Sequence, residues 1–253
     1  MSAPLTAFVI LICMLCGMAL GSYLRLVLPD DHTQTDSKDI LMTSAGMMAT
    51  LIALIIGLLV TSAKGNYDNT TLGITQTGAK IISLDYYLSN YGPDTKVERE
   101  LVRQATATAI ERVWTNESTQ WADLTKMEAA TGMADVYSKI RELSPQNDLQ
   151  KYLKTQALQI SADMMQSRWM LIEQSQTNLP RIFLVVLTFW LTVLFAQFGL
   201  LAPPNLTAKS ALFICALSVS GAIYLILELN NPLEGTIKVS SAPLHKALSL
   251  IGK

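Results

Sequence analysis

Few residues in this sequence of 253 have the types and spacing that support chemistry. Cys13 and Cys16 form "CMLC", the C-x-x-C spacing that in a polar setting holds a metal or cycles through a disulfide. No second pair and no histidine accompanies them, and Cys13, Cys16 and Cys215 all fall in apolar runs, where cysteine packs as a small hydrophobe. The histidines are His32 and His245, and the topology derived below puts them on opposite sides of a membrane. A histidine-based metal site or triad is thereby excluded. There is no Walker loop and no G-x-G-x-x-G; "GMALG", Gly17 to Gly21, has the G-x-x-x-G spacing that seats one helix against another. The carboxylates of the polar middle stand where solvated helix faces would have them. The sequence therefore predicts no catalytic residues, no metal, no cofactor and no enzyme activity.

The pattern with chemical content is "DILMTSAGMMATLIALIIGLLVTSAKGNYD", residues 39–68. Thr43, Met47, Thr50, Leu54, Gly57, Thr61 and Lys64 are spaced alternately four and three apart, so they share one face of a helix. Met48, Ile52, Ile55 and Leu59 form a wholly apolar opposite face. Small and hydroxyl residues over a full membrane depth have two explanations. One is close packing against another helix. The other is a pore wall built from copies of this helix around a symmetry axis. Lys64 would then ring the mouth with positive charge that attracts anions, and Leu54 would make an apolar constriction near mid-depth. Composition does not decide between them.

The elements that must position this face follow from hydropathy. Half the residues are apolar, only 15% are charged, and the mean hydropathy is positive. Crossing hydrocarbon takes roughly 20 apolar residues at about 1.5 Å each, and four stretches qualify: about 4–27, 40–63, 182–202 and 208–229. The first lacks a basic segment before it and is longer than a signal-peptide core, so it reads as a retained helix. Ser210, Ser218, Ser220 and Gly221 in the fourth suit packing inside a membrane bundle. Four spans put both termini and the large polar middle on one side. Lys64, Lys80, Arg168, Arg181, Lys238 and Lys246 lie near the span ends on that side, against Arg25, Lys38 and Lys209 opposite, so it is the cytoplasm. The net charge of −1 implies no nucleic-acid partner.

The polar middle reads as helical. Thr95-x-x-Glu98 has the form of a capping box, followed by Val102, Ala105, Ala109 and Val113 at helical spacing. Residues 116–144 contain Gly132 and one short helix. Ser144 and Pro145 look like the N-cap and first position of a helix running to Asn178, with Ile160, Met164 and Leu171 on a 3.6-residue face. After the second span, weak helix formers in 66–78 predict a loosened stretch, after which the second membrane helix continues into the cytoplasm with its period at Ile81, Leu84 and Leu88. The expected organisation is all-α: 1–65 carries transmembrane helices 1 and 2, 66–180 a cytoplasmic helical domain, 181–230 transmembrane helices 3 and 4, and 231–253 a cytoplasmic ribbon with a short amphipathic segment.

Glu228 closes the fourth span in "LILELNNPLEGTIKVSSAPL". A carboxylate at that boundary can reach water or a cation, and Arg181 at the same boundary is the expected ion-pair partner. Pro232 stops the helix and Gly235 permits the turn after it.

"GLLVTSAKGNYD" at 57–68, "LSPQND" at 143–148, "TFWLTVLFAQFGLLAPPN" at 188–205 and "LILELNNPLEGTIKVSSAPLHKAL" at 225–248 together resemble the bestrophin-like family of bacterial membrane proteins. That resemblance covers nearly the whole chain. It implies a pentamer in the cell inner membrane whose second helix lines an anion pathway, with the helical domain extending the pore. The chain departs from bestrophins in having no phenylalanine in 40–64 to narrow a pore; it also has no counterpart of their acidic calcium clasp and has Asn230 and Asn231 before Pro232, so calcium gating is not expected. The leading expectation is a homo-oligomeric, anion-conducting channel whose partners are the lipid bilayer, further copies of itself and small inorganic ions. The rival is a non-conducting membrane sensor or scaffold whose cytoplasmic helices bind a partner.

Overall fold

In the computed structural model, the described residues are 2–27, 35–115, 128–176, 181–203, 205–233 and 235–252, and every regular element among them is helical. The helices are α1 (Ala3–Val27), α2 (Thr35–Tyr91), α3 (Lys96–Ile110), α4 (Glu128–Glu142), α5 (Asp148–Gln176), α6 (Arg181–Leu201), α7 (Leu206–Asn230) and α8 (Ala242–Leu250). Four of them, α1, α2, α6 and α7, are long and apolar enough to cross a membrane. Contacts divide the chain into one unit of Met1–Asn66 with Asn178–Thr236 and another of Tyr67–Thr177 with Ile237–Lys253.

In the first unit, α1 and α6 approach closely because glycines remove the side chains between them. A Cβ on Gly17 would run into the Thr192 carbonyl, one on Gly21 into that of Ala196, and one on Gly199 into that of Met18. The G-x-x-x-G spacing thus seats α6. Ser22 and Arg25 extend the seam by donating to the carbonyls of Gly199 and Ala202. α7 joins α1 through Ser220, whose hydroxyl donates to the Ala7 carbonyl at 2.9 Å. The other three small residues expected to pack do not do so within the chain. Ser210, Ser218 and Gly221 are exposed, and Gly221 has open space where a Cβ would stand. Met14, Ile52, Leu187, Leu191 and Ile223 form the centre of the apolar core.

α2 departs from expectation. It is one α-helix of 57 residues, with no loosened stretch at 66–78. Thr71, Thr75 and Thr77 each donate to the carbonyl four residues back, at 2.8–2.9 Å, so their hydroxyls are satisfied within the helix. Gly78 is needed for a different reason, since a Cβ there would stand 2.9 Å from the Pro243 carbonyl oxygen.

In the second unit, Ile81, Leu84 and Leu88 are buried, as their period predicts. On α3 the buried face is Glu98, Val102, Thr106 and Ile110, rotated from the expected line, and Ala109 is exposed. Thr95 precedes α3 but does not form the expected capping box. Its hydroxyl turns back to the carbonyls of Leu88, at 2.6 Å, and Gly92, at 2.9 Å, closing the bend after α2. α5 starts at Asp148 rather than at Pro145, because Asn147 is the effective cap. Its Oδ1 accepts from the Gln150 amide at 2.8 Å while the Gln150 side chain accepts from the Gln146 amide at 2.7 Å. Leu153, Ala157, Ser161 and Met164 make its buried face. α4 lies close to α3, with Gly132 facing Ala105.

The C-terminal amphipathic segment forms α8, whose Leu244 and Ala247 are buried, followed by buried Ile251. It packs on α3. Asp85 anchors its end: the carboxylate takes two bonds from Arg99, at 2.8 and 3.0 Å, and a third from the Gly252 amide at 3.4 Å.

Candidate functional site

Burial in the first unit separates the two faces of α2. Ile52 is buried, and Met48, Ile55 and Leu59 are packed at the edge of the core. Thr43, Met47, Thr50, Leu54, Gly57, Thr61 and Lys64 are all exposed. The helix turns its apolar face to its own chain and leaves the hydroxyl-bearing face uncovered. Only 11% of the apolar window of α2 is buried, against 22–28% for the other three long helices. Close packing inside the chain therefore does not explain the small residues. Gly57, and Gly46 one turn beyond Thr50, have nothing within 4 Å of a would-be Cβ.

The threonine side chains on this face are locally satisfied. Thr43 donates to the Asp39 carbonyl at 2.8 Å, Thr50 to that of Gly46 at 2.9 Å, and Thr61 to that of Gly57 at 3.0 Å. Each hydroxyl oxygen keeps its acceptor lone pairs directed away from the backbone. Such a surface tolerates contact with water or a passing ion without leaving a buried donor unpaired. Leu54 and Met47, 61% and 68% exposed, interrupt it with apolar bulk.

Glu228, two residues before the end of α7, is buried. Its side chain is only 3% exposed, so it does not face water, and its carboxylate accepts the Thr236 amide at 2.6 Å. Gly235 has φ +86°, and a Cβ there would run into the same carboxylate. The Pro232 turn thus wraps its backbone around the carboxylate. Arg181 is the first residue of α6 and its side chain lies outside the described residues. Sequence reasoning missed Asn66, which links α2 to the same turn by donating to the Asn230 carbonyl at 2.9 Å. Its only local signal is a polar residue just past an apolar run.

Four long apolar helices with a second helical unit define an all-α membrane protein. The family model for the bestrophin-like domain matches residues 5–244, and the chain belongs to the bestrophin-like family. Its fold is similar to crystal structures of two single-substitution variants of a bacterial bestrophin homologue from Klebsiella pneumoniae. One is 12% identical with a TM-score of 0.66, the match covering 98% of each chain. The other is 11% identical with a TM-score of 0.64, covering 97% of this chain and 96% of that one. No curated protein matches the chain in sequence.

Proposed function

We propose that the chain is the subunit of a homo-oligomeric ion channel, a pentamer, that conducts anions along the exposed face of α2. The observation that supports this reading is the division of α2: the threonine-bearing face is exposed while the opposite, apolar face packs into the core. Copies of α2 set around an axis would give a wall of threonine hydroxyls, an apolar narrowing at Leu54 and a ring of Lys64 ammonium groups at one mouth. The lysine ring raises the local anion concentration and opposes cations. In this reading the protein lies in the cell inner membrane with both termini and the second unit in the cytoplasm, and it is a channel rather than an enzyme. The boundary ion pair of Glu228 with Arg181 belongs to the same proposal.

Cysteine access tests it. In a background with Cys13, Cys16 and Cys215 replaced by serine, cysteines at Thr43, Thr50, Leu54 and Thr61 should react with a charged, water-soluble thiol reagent in the reconstituted oligomer. A cysteine at Ile52, which is 4% exposed, should not. Protection at all four positions in an intact oligomer would mean that this face packs against a neighbouring copy, and the sensor or scaffold reading would take its place.

A further inference from the structure

The turn after α7 is held by two side chains of α7 that both engage Thr236. Tyr224 and Glu228 are one helical turn apart, and both reach Thr236: the phenol lies 3.1 Å from its hydroxyl, and the carboxylate accepts its amide at 2.6 Å. The Asn231 amide closes the helix end by donating to the Glu228 carbonyl at 3.2 Å. Pro232 and Leu233 are buried, so the turn is packed rather than loose. The Glu228 side chain binds the backbone of the turn at Thr236 and lies against Gly235, which makes it the main determinant of this shape.

The shaped turn exposes the Asn230 carbonyl, one of the acceptors that a helix C-terminus leaves without an intrahelical partner. Asn66 takes it at 2.9 Å, across 164 residues of sequence. Asn66 lies two residues beyond Lys64, which is about 200° around the helix. A helix held at Asn66 on its inner side therefore presents Lys64 on its outer side.

We propose that Glu228 and Asn66 are positioning residues for the permeation face: Glu228 holds the turn, the turn presents the Asn230 carbonyl, and Asn66 grips it and so fixes the rotation of α2 at the Lys64 mouth. The inference rests on the channel reading. Neither residue touches the ion; both act through the setting of α2.

The test records full-length reconstituted protein carrying Asn66→Ala, Glu228→Leu, both together, or Glu228→Gln, with oligomer state and melting temperature measured alongside. Loss of one neutral hydrogen bond shifts an equilibrium by about fivefold, so Asn66→Ala should change open probability by about that factor with the oligomer intact. Glu228→Leu should produce the same change, and the double variant should add little to it, since both substitutions cut one link. Glu228→Gln keeps an acceptor for the Thr236 amide and should stay close to the parent. A lower melting temperature with unaltered opening in Asn66→Ala, or full additivity in the double variant, would overturn the proposal. If the parent passes no current, the channel reading falls, and the rate of thiol modification at Thr61→Cys still reports the rotation of α2. An unchanged rate in Asn66→Ala would then overturn the positioning role on its own.

Discussion

Substituting Gly21 with alanine tests the closest contact in the first unit. A Cβ at Gly21 would stand 2.8 Å from the Ala196 carbonyl carbon and from the Leu200 nitrogen, both main-chain atoms that no rotamer change can move. Ordinary contact with a carbon needs at least ~3.5 Å, so α1 and α6 would have to part by about 1 Å. A gap of that size forfeits a quarter to a half of each dispersion contact across the seam. It also stretches the bonds from Ser22 to Gly199 and from Arg25 to Ala202. Overpacking costs ~1–3 kcal/mol, and with the two bonds weakened we expect about 3 kcal/mol, despite the better helix propensity of alanine. For a chain of this size that is a fall in melting temperature of roughly 6–12 °C, measured by thermal unfolding of the detergent-solubilised protein. Gly221→Ala is the control, because nothing lies within 4 Å of its would-be Cβ; it should melt at or slightly above the parent temperature. Equal melting of Gly21→Ala and the parent would refute the close α1–α6 seam.

The second unit supplies two further predictions. Asp85→Ala removes the two bonds that Arg99 donates to this carboxylate, in a pair with side chains 10% and 19% exposed. Breaking it should cost ~2–3 kcal/mol and speed amide exchange at Ile251 and Gly252, which hydrogen-exchange mass spectrometry would register. Glu100, on the solvent side of α3, is held at about 2, below its ordinary 4.5, first by the bond from Arg103 and then by that from Gln104. A depressed folded value means a stabilising contribution that is complete above the unfolded pKa and lost as pH falls toward the folded one. The melting difference between the parent and Glu100→Gln should therefore be constant above about pH 5 and close as the pH approaches 2.

The four long helices were legible in the sequence because hydropathy over 20 residues depends on nothing outside the segment, and the same holds for the period at Ile81, Leu84 and Leu88. The opposed faces of α2 were legible for the same reason, since seven residues at helical spacing define a face whatever covers it. Local rules failed where a side chain chose a partner. Thr95 followed by Glu98 satisfies the capping-box pattern, yet the Thr95 hydroxyl bonds back to Leu88 and Gly92, across the bend rather than into α3. Threonines and glycines in 66–78 lower helix propensity, yet α2 runs through them unbroken, with the hydroxyls of Thr71, Thr75 and Thr77 bonded inside the helix. The Glu228 turn was recognised by its proline and glycine, while its tie to Asn66 joins residues 164 apart that no window spans.

The central claim is that anions pass along the exposed face of α2 and meet Lys64 at its mouth. Current across a planar bilayer holding the purified oligomer under a salt gradient tests this most directly. The account predicts reversal near the chloride equilibrium potential, and a shift away from it when Lys64 is replaced by glutamate. Reversal at the cation equilibrium potential, or reversal unmoved by Lys64→Glu, would contradict the assignment of this face as an anion path. No current from an intact oligomer would contradict the channel itself.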